Sequence, residues 1–206
     1  MLVQRVVVSD ALDTNAYFYI DQNSGHGFLV DPGAEADKLL RVIGSNRWVI
    51  EKILLTHGHF DHIGAVGALH DALGIPYFIH IEGSLLLNDP VYNLSCCYGG
   101  ARDIVLKDAG YLSDGEKLTL QVDPSAALTV MNIPGHTPDS VAYYDEVNHL
   151  AFVVDTIFRN GVGSVAFPGS NAKQLRTSIA KILALPPTTR LYPGHFDATT
   201  VREEQL

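Results

Sequence analysis

Residues 54–64 read LLTHGHFDHIG, and this stretch decides how the rest of the sequence is interpreted. Three histidines and one aspartate follow directly after an apolar run that is typical of a buried strand. Imidazole nitrogens and carboxylate oxygens are ligands that zinc and related transition metals prefer. Because burying such groups without partners costs about 1–3 kcal/mol each, the stretch predicts a metal site rather than a packing role.

The spacing inside this stretch divides the candidate ligands into two pairs. His57 and His59 are two residues apart, which places both on one side of an extended turn. The small Gly58 between them lets the backbone bend tightly. Asp61 and His62 come next, at the start of a predicted helix. We therefore predict that one metal ion is held by the first pair and a second ion by the second pair.

Three later segments have the same pattern: each is an apolar predicted strand that ends in a potential metal ligand. MNIPGH ends at His136, AFVVD ends at Asp155 and LYPGH ends at His195. Loops at strand ends hold functional groups on a rigid sheet, so we expect these side chains to join the first stretch. Asp155 has two oxygens and can bridge two cations.

The remaining pattern predicts an α/β fold in which two sheets are flanked by helices, in one domain over residues 1–206. Strands are predicted at residues 2–8, 16–20, 26–31, 49–55, 77–81, 118–122, 127–133, 141–144, 149–154 and 189–192. Helices are predicted at residues 34–46, 61–73 and 172–184, and residues 88–117 are expected to be mostly loop.

The order HGHFDH, PGHT, VVDT and YPGH resembles the metallo-β-lactamase superfamily over nearly the whole chain. The resemblance implies a four-layer αββα sandwich with a two-metal site along one edge. It implies the following ligands: His57, His59 and His136 for one metal, Asp61, His62 and His195 for the other, and Asp155 as a bridge opposite a bridging hydroxide. Asp61 and Asp155 would then be the catalytic carboxylates, while Asp31 and Thr56 would orient the imidazoles.

A narrower resemblance points to a substrate. Three segments are similar to glyoxalase II, the hydroxyacylglutathione hydrolases: THGHFDHIG, PGHTPDS and DTIF. The length of the chain resembles that of the small bacterial members. This implies hydrolysis of a small-molecule thioester such as S-lactoylglutathione. Larger glyoxalases II carry glutathione-contacting Lys and Tyr residues near Ser164, Ala166 and Asp197, and this sequence lacks them. Arg159 and Lys173 are candidates for contacts with an anionic substrate.

Other functions of the same architecture stay open at this point. An iron-dependent persulfide dioxygenase uses a single metal, and the complete pair of Asp61 and His62 favours two. A hydrolase of lactones or other esters would need the same ligands. Two zinc ions suit the nitrogen-rich ligand set, with iron or manganese as alternatives.

Composition argues against several classes of protein. The formal net charge is −9 with no run of Lys or Arg, so neither a nuclease nor another nucleic-acid-binding protein is expected. No apolar stretch reaches 18 residues, so no membrane span is predicted. The first residues do not resemble a signal peptide, which predicts a cytoplasmic enzyme rather than a secreted β-lactamase.

The remaining histidines and the cysteines are assigned to other roles. His26 and His149 are expected at the surface. His70, on a predicted helix, is expected to have a hydrogen-bond partner, and His80 is placed outside the ligand set. The adjacent Cys96 and Cys97 do not suit an intramolecular disulfide and are expected to serve packing.

Overall fold

Two sheets lie face to face in the computed structural model, which describes residues 1–98 and 103–205. The first sheet contains, in spatial order, β1 (Leu2–Ser9), β2 (Asp13–Ile20), β3 (His26–Val30), β4 (Val49–Leu54), β5 (Tyr77–His80) and β6 (Gly110–Leu112). The second contains, in spatial order, β14 (Thr199–Thr200), β13 (Arg190–Tyr192), β10 (Leu150–Phe152), β9 (Val141–Asp145), β8 (Ala127–Asn132) and β7 (Lys117–Thr119). A separate hairpin pairs β11 (Ile157–Phe158) with β12 (Gly161–Val162).

Each sheet combines antiparallel and parallel pairs. β1, β2 and β3 are antiparallel neighbours, whereas β3 to β6 run parallel. In the second sheet β7 to β10 are antiparallel, and β10 runs parallel to β13. Parallel strands end at the same edge of a sheet, so the loops that follow β3 and β4 lie together, as do those that follow β10 and β13.

Helices cover the outer faces of both sheets. They are α1 (Ala36–Asn46), α2 (Phe60–Ile63), α3 (Val66–Leu73), α4 (Ser84–Asn88), α5 (Ser95–Tyr98), α6 (Ala172–Leu183) and α7 (Val201–Glu204). Within the described residues, no helix is both long and apolar enough to cross a membrane.

Three apolar cores separate the layers, and β2 contributes to two of them. Tyr17 and Tyr19 point into the core between the sheets, while Phe18 and Ile20 point into the core beneath α1 and α3. This alternation follows from the two-residue period of a strand. A third core lies between the second sheet and α6, with Ile182 fully buried in it. The predicted helix–sheet–sheet–helix sandwich is confirmed.

Several boundaries differ from the predictions. The helix predicted over residues 61–73 is broken into α2 and α3, because the chain at Gly64 passes close to Gly33. A Cβ on Gly64 would lie 2.2 Å from the carbonyl oxygen of Gly33, and Ala65 N donates to Pro32 O at 3.0 Å. Most of the predicted boundaries are off by one to three residues.

Some short elements were missed altogether. α4, α5 and β6 fall in or beside the segment interpreted as loop, and the hairpin β11–β12 and the terminal pair β14 and α7 were not predicted. Segments of two to five residues are too short for a periodic pattern to identify. Residues 99–102 of the predicted loop lie outside the described residues.

Candidate metal centre

The candidate site lies where strand ends of the two sheets meet. Seven candidate ligands follow four strands: His57, His59, Asp61 and His62 after β4, His136 after β8, Asp155 after β10 and His195 after β13. Six of them are buried, and His195 is partly exposed. The structure thus brings together every residue predicted as a ligand, although which of them binds which ion stays a prediction.

Three imidazoles form the first group. Nε2 of His57 and Nε2 of His136 lie 3.1 Å and 3.0 Å from Nδ1 of His59. Ligands held 2.0–2.1 Å from a tetrahedral zinc ion are roughly 3.3 Å apart. The three nitrogens therefore have nearly the spacing of ligands to one ion.

Asp61, His62 and His195 form the second group. Oδ2 of Asp61 lies 3.4 Å from Nε2 of each histidine. Asp155 lies between the two groups, since its Oδ2 is 3.6 Å from Nε2 of His136 and 3.3 Å from Nε2 of His195. Its other oxygen, Oδ1, is 3.7 Å from Nε2 of His62. Asp155 is therefore close to ligands of both groups, and its role as a bridge stays a prediction.

Burial keeps His57 and His59 of the first group neutral. It lowers the pKa of His57 well below the ordinary value. Burial, together with repulsion from His136, lowers the pKa of His59 to about 3. A neutral imidazole has a free lone pair, so these two side chains are ready to bind a cation without first losing a proton.

In the second group the pKa values of the histidines are raised and not lowered. Burial by itself would lower the pKa of His195, but its contacts with Asp155 and Asp61 raise it to about 10. The same carboxylates raise the pKa of His62 well above its ordinary value, against the effect of burial. Burial would raise the pKa of both carboxyls, yet the neighbouring histidines lower it. Protons thus neutralise this group, and divalent cations would displace them.

Two buried polar atoms that lack hydrogen-bond partners indicate that metal ions suit the site. Nε2 of His62 and Oδ1 of Asp155 are buried and have no hydrogen-bond partner. Buried polar atoms almost always have one, and a cation between the two groups would satisfy both. Together with the nitrogen-rich donor set, this shows that the residues fit a dinuclear site for divalent metals.

Asp31 and Thr56 lie directly behind the ligands, where the sequence placed them. Nδ1 of His62 is 3.0 Å from Oδ2 of Asp31. Thr56 donates its backbone N–H to Oδ1 of Asp31 at 2.8 Å and its hydroxyl to Oδ2 at 2.5 Å. The bond to Nδ1 directs Nε2 of His62 towards the cluster. Asp31 adopts a left-handed backbone conformation, with φ 48°, to reach this position.

Two supporting contacts from the first residues of β2 were not predicted. Oγ1 of Thr14 donates to Oδ2 of Asp61 at 3.1 Å, and the carbonyl oxygen of Asp13 lies 2.7 Å from Nδ1 of His195. Both residues precede the predicted strand 16–20. A backbone carbonyl has no sequence signal because every residue has one, and the DTN segment resembles an ordinary turn.

Two glycines allow loops to pass close to Asp155. A Cβ on Gly163 would lie 1.7 Å from the backbone oxygen of Asp155, and a Cβ on Gly194 would lie 2.3 Å from its Oδ1. The close approach at Gly163 places the carbonyl oxygen of Ser164 2.8 Å from Nδ1 of His136. Glycine at these positions is therefore required by the packing of the site.

A cavity of about 370 Å³ opens over the cluster. Besides five of the candidate ligands and Ser164, its lining is apolar: Ala11, Leu12, Phe60, Leu94, Tyr98, Phe158 and Phe167. Arg159 and Lys173, predicted as contacts for an anionic substrate, line two other depressions instead. Arg159 follows Phe158 in the turn between β11 and β12, and the two side chains line different depressions.

The histidines outside the ligand set have other partners. His70 lies with Nδ1 2.8 Å from the carbonyl oxygen of Ile75, and His149 is exposed, as predicted for both. His80 is buried outside the cluster and accepts a hydrogen bond from a backbone N–H. His26 was expected at the surface but is only partly exposed, since its Nδ1 lies 2.8 Å from Oε1 of Glu51.

The two cysteines do not pack in a core. Cys96 and Cys97 are both exposed in α5, with their sulfur atoms 3.1 Å apart. The predicted packing role is therefore wrong. The helix is too short to bury one face, and its neighbouring residues Leu94 and Tyr98 are those that reach the cavity.

Comparison with known proteins agrees with this geometry. The model of the metallo-β-lactamase superfamily matches residues 9–195. Hydroxyacylglutathione hydrolase GloC of Haemophilus influenzae is 30% identical over 179 residues, covering 86% of this chain and 83% of that protein.

Two solved structures are similar over almost their whole length. The BLEG-1 B3 metallo-β-lactamase has a TM-score of 0.90 and 32% identity, with 99% of this chain and 96% of that chain covered. TTHA1623 in a di-iron-bound form has a TM-score of 0.88 and 34% identity, with 98% and 97% covered. The fold, the clustered ligands and the matched family model lead to one conclusion: the chain belongs to the metallo-β-lactamase superfamily and is a metal-dependent hydrolase.

Proposed function

We propose that this protein hydrolyses a small-molecule thioester at a pair of divalent metal ions. The observation that carries the proposal is the placement of Asp155 between two three-ligand groups at the floor of an apolar cavity. A cavity of about 370 Å³ suits a small molecule. The name of the relative GloC, a hydroxyacylglutathione hydrolase, supports a thioester as the substrate class.

The residues have distinct tasks in this proposal. The first metal would be held by His57, His59 and His136, the second by Asp61, His62 and His195, with Asp155 shared between them. Two bound divalent cations supply a water of lowered pKa and polarise a carbonyl. The carboxylates of Asp61 and Asp155 are hydrogen-bond acceptors that can orient the proton of an attacking water. Thr14 holds Oδ2 of Asp61 through its hydroxyl, and Phe60, Phe158 and Phe167 keep bulk water from the cavity floor.

We propose zinc as the metal because nitrogen donors dominate the ligand set. Iron and manganese accept the same ligands, and TTHA1623 is described in a di-iron-bound form. The reconstitution experiment below therefore includes zinc and iron.

Two other functions compete with this proposal. The first is a persulfide dioxygenase with a single iron. In such an enzyme Asp61, His62 and His195 would bind no metal, and this argues against that function. The second is hydrolysis of a lactone, of another ester, or of a β-lactam, which is a cyclic amide. The similarity to a protein named BLEG-1 B3 metallo-β-lactamase favours the β-lactam among these. The same metal pair and cavity would serve that reaction.

The test is an assay of zinc- and iron-reconstituted protein with S-D-lactoylglutathione, where loss of the thioester absorbance measures turnover. Asp61→Ala serves as the disabled variant and Asp71→Ala, an exposed aspartate on α3, as the matched control. Turnover that is lost only in Asp61→Ala supports the proposal.

The same preparations are assayed with a chromogenic cephalosporin, a homoserine lactone and glutathione persulfide. Fully metal-loaded protein that cleaves one of these but no thioester would overturn the proposal. Oxygen consumption with the persulfide would identify a dioxygenase.

A further inference from the structure

Three adjoining depressions lead away from the candidate metal centre. The apolar cavity over the cluster shares Leu12 and His195 with a neighbouring depression of about 610 Å³. That depression shares Arg5 and Asp197 with a third, of about 480 Å³. The third depression is therefore linked to the metal centre through shared lining residues.

The third depression is lined by three guanidinium groups and one carboxylate. Arg5 comes from β1, Arg190 from β13 and Arg159 from the turn between β11 and β12, and all three are exposed. Asp197 is the carboxylate. The chain has 14 Lys and Arg residues and a formal net charge of −9, so three arginines at one place form a local positive site. We call it the three-arginine depression.

Arg5 is partly engaged with the loop that follows His195. Its Nη1 donates to the carbonyl oxygen of Phe196 at 2.7 Å and to Oδ1 of Asp197 at 2.9 Å. A guanidinium has five N–H donors, so donors remain after these two bonds. The ion pair cancels part of the positive charge, and Arg159 and Arg190 must supply the rest.

The other two arginines are less engaged. Arg190 lies over the ring of Tyr192, with the guanidinium carbon 5.6 Å from the ring centroid. Among the described residues Arg159 has no hydrogen bond or ion pair, and its charge acts on the exposed Glu203 only at longer range. Both guanidinium groups are therefore available to an incoming anion.

We propose that the three-arginine depression binds an anionic group, a carboxylate or a phosphate, at the far end of the substrate's thiol arm. This inference rests on the proposed thioester hydrolysis. The planar fork of a guanidinium matches both anions. Of the described residues that line the apolar cavity, none is Lys or Arg. Charge recognition is therefore separated in space from the reacting carbonyl.

The hairpin β11–β12 contributes residues to both the apolar cavity and the three-arginine depression. Phe158, at the end of β11, lines the apolar cavity, and the next residue, Arg159, lines the three-arginine depression. The acyl group and the first carbons of the thiol arm would contact the apolar lining. The arm would then pass His195 and Leu12 before its charged end reaches the arginines.

The test compares three thioesters that share the D-lactoyl group and differ only in the thiol. Glutathione has carboxylates, coenzyme A has phosphates and N-acetylcysteamine has no charge. We expect kcat/KM to be about tenfold or more higher for at least one charged thiol, and this preference to fall with added salt. Which charged thiol is preferred distinguishes a carboxylate from a phosphate.

The variants are Arg159→Met, Arg190→Met and the double substitution, with Arg41→Met on α1 as the matched control. Methionine keeps the unbranched stem of the side chain and removes the guanidinium with its charge. The double variant should lose most of the preference for the charged thiol, mainly through KM, whereas Arg41→Met should keep it. Calorimetric binding of free coenzyme A and of S-methylglutathione gives a second readout that needs no turnover.

The outcomes separate this inference from the proposed function. Hydrolysis of all three thioesters at equal rates, or a preference unchanged in the double variant, would overturn the inference and leave thioester hydrolysis in place. No hydrolysis of any thioester, combined with arginine-dependent binding of a charged thiol, would contradict the proposed reaction but support the anion site. Neither turnover nor binding would overturn both.

Discussion

Asp155 has two carboxylate oxygens that face different histidines, and this single residue connects the two ligand groups. Its backbone is held by a close approach to Gly163, and the preceding Val154 has a left-handed φ of 44°. A β-branched residue rarely adopts that conformation, and such strain is found mainly where function requires a fixed geometry. The surrounding loops therefore determine where this carboxylate lies.

The substitution Asp155→Asn tests whether a carboxylate at this position is needed to bind two metal ions. An amide is neutral and is a poor bridging ligand, so the variant should retain about one metal ion per chain instead of two. We expect kcat/KM to fall by more than roughly 100-fold, beyond the 10- to 100-fold typical of residues that only support a ligand. Metal content by plasma mass spectrometry and steady-state kinetics check this. Asp71→Asn is the control, and a fully active Asp155→Asn with two metals would rule out the bridging role.

Asp139, three residues after His136, is fully buried. Burial raises the pKa of this carboxyl to about 6. The protonated form therefore stabilises the fold at low pH, and that stability is lost as the pH rises through about 6. A gap of roughly two pKa units corresponds to about 3 kcal/mol in total.

Asp139→Asn should remove this dependence because an amide of the same shape does not ionise. Relative to the variant, the wild type should lose about 1 kcal/mol of unfolding free energy between pH 5 and pH 8. Urea unfolding of metal-loaded protein at both pH values measures the difference. An identical difference between the two proteins at both pH values would show that Asp139 does not titrate in this range.

At the scale of the element, each ligand follows a strand, and the strands hold the ligand loops in place. The helices contact the ligand loops less directly than the strands do. α6 packs its residue Leu175 closely against Gly135, next to His136: a Cβ on Gly135 would lie 2.2 Å from the backbone nitrogen of Leu175. The start of α6 is therefore coupled to the loop that carries a candidate ligand.

Asn171 caps α6, and its side chain accepts the backbone N–H groups of Lys173 and Gln174 at 3.0 Å and 3.1 Å. Asn171→Ala should cost about 1 kcal/mol of stability, which for a chain of this size lowers Tm by about 2–4 °C. Scanning calorimetry checks this. Asn171→Asp keeps an acceptor for the same N–H groups and should retain nearly all of the stability; equal losses in both variants would exclude a capping role.

At the scale of the whole molecule, the metal centre joins the two sheets. Its ligands come from loops of both, and with Asp31 and Thr14 they form a buried polar cluster between large apolar cores. Contacts with Asp61 and Asp155 raise the pKa of His62 and of His195, so cations compete with protons for this cluster. The folded arrangement of these loops should therefore depend on metal ions for part of its stability.

Removal of the metals should lower the stability of the whole fold. A ligand that binds only the folded state adds about 2.7 kcal/mol when present at 100 times its Kd and about 4.1 kcal/mol at 1,000 times. We expect chelator-treated protein to unfold at a lower temperature and added zinc to restore the original Tm. A Tm that is independent of metal, in protein shown to bind two ions, would contradict this coupling.

The sequence by itself identified the seven candidate ligands, because the His-rich stretch after β4 occurs together with three later strands that each end in a potential ligand. It also predicted the layered fold, through the order of strands and helices and the resemblance to the metallo-β-lactamase superfamily. Only the tertiary structure decided how Asp155 faces both ligand groups and which carbonyls and hydroxyls support them. It also decided that Arg159 lines a separate depression and that the 61–73 helix breaks at Gly64. These features depend on contacts between residues far apart in the chain, and no local pattern records such contacts.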